Sequence, residues 1–445
     1  MNENYGDVCI LGLGYVGLTL AATLAELGFR VYGVDPDDDV LKSLRNQKAF
    51  FHEEGIDKLL EKHLGKSLFF QKRLGVSLAP YYIIAVSTPL DADNNVSFIQ
   101  LKNTCFELGN VLRKRNLVIL RSTVSVGASS EIVIPLLEKH SSLKVGDDFD
   151  FVFAPERTIE GAALKELLTL PQILGGFNQR AVDRAREFFL KLTPDVIAVN
   201  SLESAEMIKL ISNTFRDLTF SFANAVSMAC AKYNINPHEV IKAANLRYDR
   251  NHIPIPSPGV GGYCLTKDPR IFARSFKDLS DVTNLVEAGR VINSKMPHYV
   301  IKIMRDFFLI KKRKNLRGAN ISILGMAFKG NPPTSDIRFS PSMDVVNLLI
   351  KEGANLKAHD YVVPVETIKN LFIEAAESVE DAFEDSEAVI IMTNHPYYRH
   401  IDVTSLLRTM DKPALLFDPW QLHFLSDIQK ISDIYYSNLG FNTFI

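Results

Sequence analysis

The chain has 445 residues, 47% of them hydrophobic and 23% charged, with 50 basic against 52 acidic side chains. That length exceeds one ordinary core, so two or three domains are expected. The near-neutral balance gives no sign of a nucleic-acid or acidic-membrane partner.

The start, Met1 to Asp7, has no basic segment ahead of an apolar one, as a secretory signal would need. Val8 to Ala25 is uncharged, but glycines at 12, 14 and 17 break it, so a strand, turn and helix are expected rather than a membrane span. Apolar runs at Val8–Leu11, Val31–Val34, Tyr82–Val86, Leu117–Leu120 and Phe149–Phe153 predict buried strands. Helical patterns fall between and after them at 18–27, 38–46, 55–63, 98–113 and 129–139. Such alternation predicts a doubly wound parallel sheet, with Gln172–Gly175 and Val196–Val199 extending it.

Glu203 to Asn236 contains no Pro and no Gly. It predicts one helix of about 30 residues, about 45 Å long, a spine between two α/β domains and a dimer contact. Helical patterns continue at 237–247 and 278–310, and the loop between, Tyr248 to Asp268, carries a Pro/Gly-rich stretch and Cys264. A basic linker from Lys311 to Arg317, read as a solvated connection, leads to a second strand–helix start at Asn320 to Gly325. Strands at 320–324, 355–359, 388–392 and 414–417, with helices near 342–352 and 364–376, predict another nucleotide-binding-like domain. The expected fold is α/β, two Rossmann-like doubly wound domains joined by a long central helix, divided at 1–200, 201–310 and 311–445.

Gly12-Leu-Gly14-Tyr15-Val16-Gly17 follows the first strand, and Asp35 ends the second, 23 residues after Gly12. The glycines permit a tight turn and a close approach to pyrophosphate at a helix N-terminus. Asp35 would accept from a ribose diol and repel a 2′-phosphate, so NAD is expected over NADP. Ser87-Thr88 and Ser122-Thr123 end strands at the edge that faces the ligand crevice; their hydroxyls could hold ligand or a catalytic water, or simply cap helices. Glu156 and Glu160, four apart, share a face if their segment is helical; a solvated acidic face is the plainer reading. Glu206, Lys209, Asn213 and Arg216 form one stripe on the long helix. Lys209 and Asn213 supply two donors for an oxyanion, against the alternative of a salt-bridged helix surface.

The four cysteines show no CxxC pair and no metal-ligand spacing, so a reducing cytoplasm is expected and no metal site is. Cys9, Cys105 and Cys230 lie on apolar elements and read as packing. Cys264 differs. It stands in Gly259-Val-Gly261-Gly-Tyr-Cys264-Leu-Thr-Lys267-Asp268, where glycines admit a ligand and a nearby cation favours thiolate.

With these residues in place, the chain resembles the UDP-glucose/GDP-mannose dehydrogenase family of NAD-dependent nucleotide-sugar 6-dehydrogenases. The likeness runs from about residue 8 to the C-terminus. Its further motifs are Ser-Thr-Val at 122–124, Pro-Glu-Arg at 155–157, Ala-Glu-Met-Ile-Lys-Leu-Ile-Ser-Asn-Thr-Phe-Arg at 205–216, Ala-Phe-Lys-Gly at 327–330 and Asp-Ile-Arg-Phe-Ser-Pro at 336–341. The resemblance implies oxidation of a sugar's primary alcohol to a carboxylate with two NAD in succession, in a homodimer or higher homo-oligomer.

It implies Cys264 as the nucleophile that holds the aldehyde as a thiohemiacetal and then a thioester. Lys209 and Asn213 would stabilise oxyanions, Asp268 and Thr123 would order water or shuttle protons, and Glu156 would act as acid/base or hold the thioester step. NAD contacts are implied for Gly12, Gly14, Tyr15, Val16, Gly17, Asp35, Thr88, Thr123, Glu160 and Arg338. Substrate contacts are implied for Glu156, Arg157, Lys209, Asn213, Arg216, Gly261, Lys267, Phe328 and Lys329, with Arg250 reaching a neighbouring subunit's sugar. The sequence departs from the family's usual pattern at Ser125, Ala225, Tyr263 and Trp420, the last standing where an Arg is common; Trp420 could stack on the base instead. Pro-Glu-Arg at 155–157 resembles the branch acting on UDP-N-acetyl-mannosamine or UDP-N-acetyl-glucosamine, with UDP-glucose as the alternative substrate. A two-electron hydroxyacid dehydrogenase would leave Cys264 idle, and a non-catalytic nucleotide-sugar sensor would not need Cys264, Lys209, Asn213 and Asp268 together.

Overall fold

The computed structural model of the chain describes residues 5–75, 79–91 and 93–445. In β1 (Asp7–Leu11), Val8 and Ile10 enter one apolar cluster while Cys9 and Leu11 enter another. Strand side chains alternate between faces, so β1 is covered on both sides, as a parallel sheet requires. The described residues build an eight-stranded sheet in the order β3-β2-β1-β4-β5-β6-β7-β8. The other strands are β2 (Arg30–Val34), β3 (Leu68–Gln71), β4 (Tyr81–Ile84), β5 (Leu117–Leu120), β6 (Asp150–Phe153), β7 (Gln172–Gly176) and β8 (Val196–Val199). β7 runs antiparallel to β6, whereas the alternation alone predicts a parallel neighbour. Cys9 and Cys105 are fully buried here, and burial pushes each thiol up to about 12, consistent with packing.

The chain divides into two compact units, one of Met1–Asn213 with Lys267–Ser280 and one of Thr214–Thr266 with Asp281–Ile445. The spine helix, Leu202–Ala231, has 30 residues and passes from the first into the second. It stops short of Asn236 for local reasons: Asn234 is left-handed at φ 52°, and Asn236 accepts from the His238 N–H to cap Pro237–Asn245, with Pro237 in the first turn. Among the described residues no helix is long and apolar enough to cross a membrane.

The second unit carries a six-stranded parallel sheet in the order β11-β10-β9-β12-β13-β14. Its strands are β9 (Asn320–Leu324), β10 (Asn355–His359), β11 (Glu374–Ala375), β12 (Ala388–Ile391), β13 (Ala414–Phe417) and β14 (Ile434–Ser437). The helix expected near 364–376 covers only Val365–Lys369, because Phe372 turns left-handed at φ 59° and β11 follows. The basic linker is not simply solvated: Lys312, with its side chain 9% exposed, lies 2.8 Å from Glu387, and Lys314 lies 2.6 Å from the same carboxylate.

The two sheets repeat one device. Gly12 sits at φ 95° and donates to Val34 O at 2.8 Å; Gly325 sits at φ 94° and donates to His359 O at 2.8 Å. In each, an Asp ends the next strand and binds the glycine loop. Asp35 accepts from the N–H groups of Leu13 (2.8 Å) and Asp37 (3.0 Å). Asp360 accepts from four, those of Met326, Ala327, Val362 and Val363.

Candidate active site

In the first unit, a Cβ on Gly12 would lie 2.8 Å from Ala85 O, and one on Gly17 only 1.8 Å from Gly12 O. A Cβ on Gly14 would meet nothing within 4 Å. Two glycines thus close the turn, and the third leaves open space before the Tyr15–Glu26 helix, whose first turn has no side-chain cap and no acidic residue. Val16 lies in that turn, where N–H groups lack helical partners. A carboxylate offers about four lone-pair sites, and the two that Asp35 spends on its loop leave two for a diol. These features fit the dinucleotide expected from the sequence.

The Tyr15 hydroxyl hydrogen-bonds the carboxylate of Glu53, a residue the sequence reading did not single out. Glu53 is buried and also accepts from Gly161 N–H at 2.9 Å and Leu164 N–H at 3.1 Å. It therefore ties the glycine loop to the segment after Glu160. No sequence signal marks it, because its partners lie 38 and more than 100 residues away.

Residues 154–159 are not helical, so Glu156 and Glu160 share no helix face. Glu156 is buried rather than solvated. Its Oε2 accepts from Arg121 Nη2 at 2.5 Å and Nε at 3.0 Å, and its Oε1 from the Arg157 and Thr158 N–H groups at 2.7 Å. Burial pushes the carboxyl up, but Arg121, the Thr158 amide and Lys209 outweigh it and hold Glu156 below the usual range. A carboxylate so held retains its charge and makes a poor proton carrier.

Lys209 acts on that carboxylate through its charge, and the same unit joins several other polar groups named from sequence. Lys209 and Asn213 on the spine helix are each 8% exposed, and Asn213 Nδ2 donates to Asp268 Oδ2 at 2.6 Å. Lys267 Nζ lies 3.2 Å from Asp268 Oδ1 and 3.4 Å from Thr88 Oγ1, and the Thr88 hydroxyl donates to Thr123 O at 2.5 Å. Thr88 therefore caps no helix. Arg157, Arg216 and Arg250 are exposed; the guanidinium of Arg250 sits 4.7 Å over the Tyr248 ring.

In the second unit the cysteine stands in a helix, Tyr263–Ser275, and not in the loop the Pro/Gly content predicts. Gly262, at φ 84°, turns the chain into it. The thiol is exposed and lies in the first turn, where the helix dipole favours thiolate. Lys267 and Asp268 follow three and four residues on, one turn along the same helix. The glycines seat the segment: a Cβ on Gly261 would be 2.3 Å from Phe339 O, and one on Gly262 would be 2.6 Å from the Phe328 ring. Lys329 Nζ lies 5.5 Å from the centre of that ring. Arg338 pairs with Asp336 through Nε and Nη2 at 2.7 to 3.0 Å. Trp420 is half-buried, and its Nε1 makes no hydrogen bond among the described residues.

The NAD binding domain of the UDP-glucose/GDP-mannose dehydrogenase family matches residues 6–193, its central domain 203–295 and its UDP binding domain 322–423. The chain belongs to this family. It is 31% identical over 411 residues to the UDP-N-acetyl-D-mannosamine dehydrogenase of Campylobacter jejuni, covering 89% of this chain and 96% of that one. The enzyme of the same name from Pyrococcus horikoshii is 30% identical, covering 91% and 93%. A solved UDP-D-ManNAc dehydrogenase from that organism superposes with a TM-score of 0.86 at 28% identity, over 98% of this chain and 99% of the other. A UDP-N-acetyl-mannosamine dehydrogenase from Staphylococcus aureus gives 0.83 at 28%, over 98% of each.

Proposed function

We propose that the chain oxidises a UDP-N-acetyl-hexosamine, UDP-N-acetyl-mannosamine first among them, to its uronate through a covalent adduct on Cys264. The observation that carries this reading is the Tyr263–Ser275 helix. It bears an exposed thiol in its first turn and, one turn on, the Lys267–Asp268 pair that joins Thr88 and Asn213. The three family domains support a division into a dinucleotide-binding part (1–200), a spine with the cysteine segment (201–310) and a nucleotide-sugar part (311–445). The names of the bacterial and archaeal relatives support the substrate.

The Gly12–Gly17 loop and Asp35, with Thr88, Thr123, Glu160 and Arg338, would hold NAD, which would supply the hydride acceptor for each of two oxidations. The remaining bond changes fall to the chain. Once the alcohol has become an aldehyde, the Cys264 sulfur bonds to its carbon and the carbonyl oxygen takes up a proton, giving a thiohemiacetal. Its oxidation releases that proton and leaves a thioester. Water ordered by Asp268 and Thr123 adds to the thioester carbon; the C–S bond breaks, the sulfur leaves as thiolate and the carboxylate is released. Lys209 and Asn213 donate to the oxygen as it gains charge. Glu156, fixed by Arg121, keeps its negative charge at the edge of the site. Holding the aldehyde covalently prevents its escape between the two oxidations. Arg157, Arg216, Gly261, Lys267, Phe328 and Lys329 would hold the nucleotide sugar.

Homodimerisation fits the spine helix, where Ile211, Phe215 and Phe222 are 44%, 69% and 57% exposed along one stripe, and would allow Arg250 to serve a partner's sugar. A cytoplasmic setting would keep Cys264 reduced, and the uronate suits surface polysaccharide. The test is a panel of UDP- and GDP-sugars with NADH counted per sugar, beside Cys264→Ala. Two NADH per UDP-N-acetyl-mannosamine, and no uronate from the variant, are expected. One NADH per sugar, or turnover by the variant, would overturn the covalent scheme; preference for UDP-glucose would overturn the substrate.

A further inference from the structure

A single string of buried polar side chains on the two long helices grips the cysteine segment at both ends. Asn224, on the spine helix, accepts from the Ser257 N–H at 2.8 Å, and its amide donates to Asn293 Oδ1 at 2.9 Å. Asn293, on the Ser280–Phe307 helix, donates to the Asp217 carboxylate at 2.8 Å and to the Asp217 carbonyl at 3.0 Å. Asp217 pairs with Arg290 Nη1 at 2.5 Å, and the same nitrogen reaches Leu265 O at 3.3 Å. Asp217 and Asn224 are fully buried, Asn293 is 1% exposed and Arg290 4%.

The Leu265 end has a specific cause. A helical carbonyl takes its hydrogen bond from the N–H four residues on, and that residue is Pro269, which has none. Arg290 supplies a donor where the helix cannot, on the residue next to Cys264. The Ser257 end closes the other side, where the Ser257 hydroxyl also donates to Gly259 O at 2.9 Å. Gly289 lets the two helices come close enough: a Cβ there would lie 2.7 Å from the Leu218 side chain.

Stability alone is a weak reason for this string. A buried ion pair recovers its desolvation cost poorly, and well-packed apolar groups often serve as well. Placement is the stronger reason, because one terminus of the string lands on Leu265, next to the thiol, and the other on Ser257, where the glycine segment leading to it begins. We propose that Asp217, Arg290, Asn293 and Asn224 are positioning residues for Cys264, holding the sulfur where it captures the aldehyde. This rests on Cys264 being the nucleophile. A misplacement of about 1 Å at a reacting centre costs on the order of 100-fold in rate, while the first oxidation, which makes no bond to sulfur, is spared.

The experiment uses Asn224→Ala, which removes the Ser257 acceptor without stranding a charge. It also uses Arg290→Lys, which keeps a cation for Asp217 but shortens the reach to Leu265. Each full-length variant is assayed with NAD and UDP-N-acetyl-mannosamine in the presence of semicarbazide as an aldehyde trap, beside wild type and Cys264→Ala. In either variant that keeps a wild-type thermal midpoint, uronate turnover falls at least ten-fold, KM for NAD stays within two-fold, trapped aldehyde rises and NADH per sugar drops from two toward one. Iodoacetamide labelling of Cys264 also changes rate. A folded variant with wild-type turnover, stoichiometry and labelling overturns the proposal, provided Cys264→Ala makes no uronate; uronate from Cys264→Ala sinks the underlying reading instead.

Discussion

Asn213 Nδ2 donates to Asp268 Oδ2 at 2.6 Å, joining the spine helix to the helix that begins beside Cys264. The carboxylate is fully buried, so this amide and Lys267, 3.2 Å from Oδ1, fix its orientation. Asp268→Asn would set amide against amide and remove the proposed proton acceptor. Since positioned acid–base groups contribute roughly 10²- to 10⁴-fold, turnover should fall within that range while KM for NAD stays near wild type. Steady-state kinetics decide it, and unchanged turnover would remove Asp268 from the chemistry.

Asp35 accepts from the Leu13 and Asp37 N–H groups, which leaves two acceptor positions for the proposed ribose contact. Asp35→Ala should lower kcat/KM for NAD and raise the NADP to NAD ratio by about 10- to 100-fold, the size of one lost charged hydrogen bond. An unaltered ratio would contradict the ribose assignment.

Glu53 accepts from Tyr15, Gly161 and Leu164 at once. Glu53→Ala removes a charged acceptor from the Tyr15 hydroxyl and the Leu164 N–H, while the Gly161 N–H keeps the Tyr15 oxygen at 2.9 Å; a hydrogen bond to a charged group contributes about 1.5–3 kcal/mol. The melting temperature should drop and KM for NAD should rise with little change in Cys264 labelling. If KM for NAD does not move, Glu53 supports the fold and not the dinucleotide loop.

The loop after β13 holds two buried titratable groups with opposite effects. Burial pushes the Asp418 carboxyl from 3.8 up to about 7. Its contribution to stability is therefore complete below 3.8 and lost as pH rises toward 7. Burial pushes the His423 ring from 6.5 down to about 4, so its contribution is complete above 6.5 and lost as pH falls toward 4. The two slopes oppose each other over one window. Relative to wild type, Asp418→Asn should melt lower at pH 4.5 than at pH 7, and His423→Gln the reverse. Thermal unfolding at both pH values that shifts the two variants in the same direction would refute the assignment.

Central strands were legible because nearly every residue in them is apolar. Leu117–Leu120, Val31–Val34 and Ala414–Phe417 have near-continuous apolar runs, which a strand covered on both faces must have. Edge strands fared unevenly: β8 was expected at Val196–Val199, but β3, β11 and β14 were not. β3 reads Leu-Phe-Phe-Gln with only Leu68 fully buried, and β11 is two residues long, so neither produces a period. The glycine loop, Asp35 and Cys264 could be read because one short segment contains both residue type and spacing. Glu53, Arg121 and Arg290 could not, since each acts on a residue dozens of positions away; Arg121 and Glu156 are 35 apart. The helical start at Tyr263 was hidden by the glycines before it and by Pro269 within it.

Four backbone amides occupy the Asp360 carboxylate, filling every acceptor position it has. Its counterpart in the first sheet is only half filled, so Asp360 has no position left for a ribose hydroxyl, whereas Asp35, the proposed ribose acceptor, has two. Equilibrium titration should accordingly saturate at a single coenzyme per polypeptide.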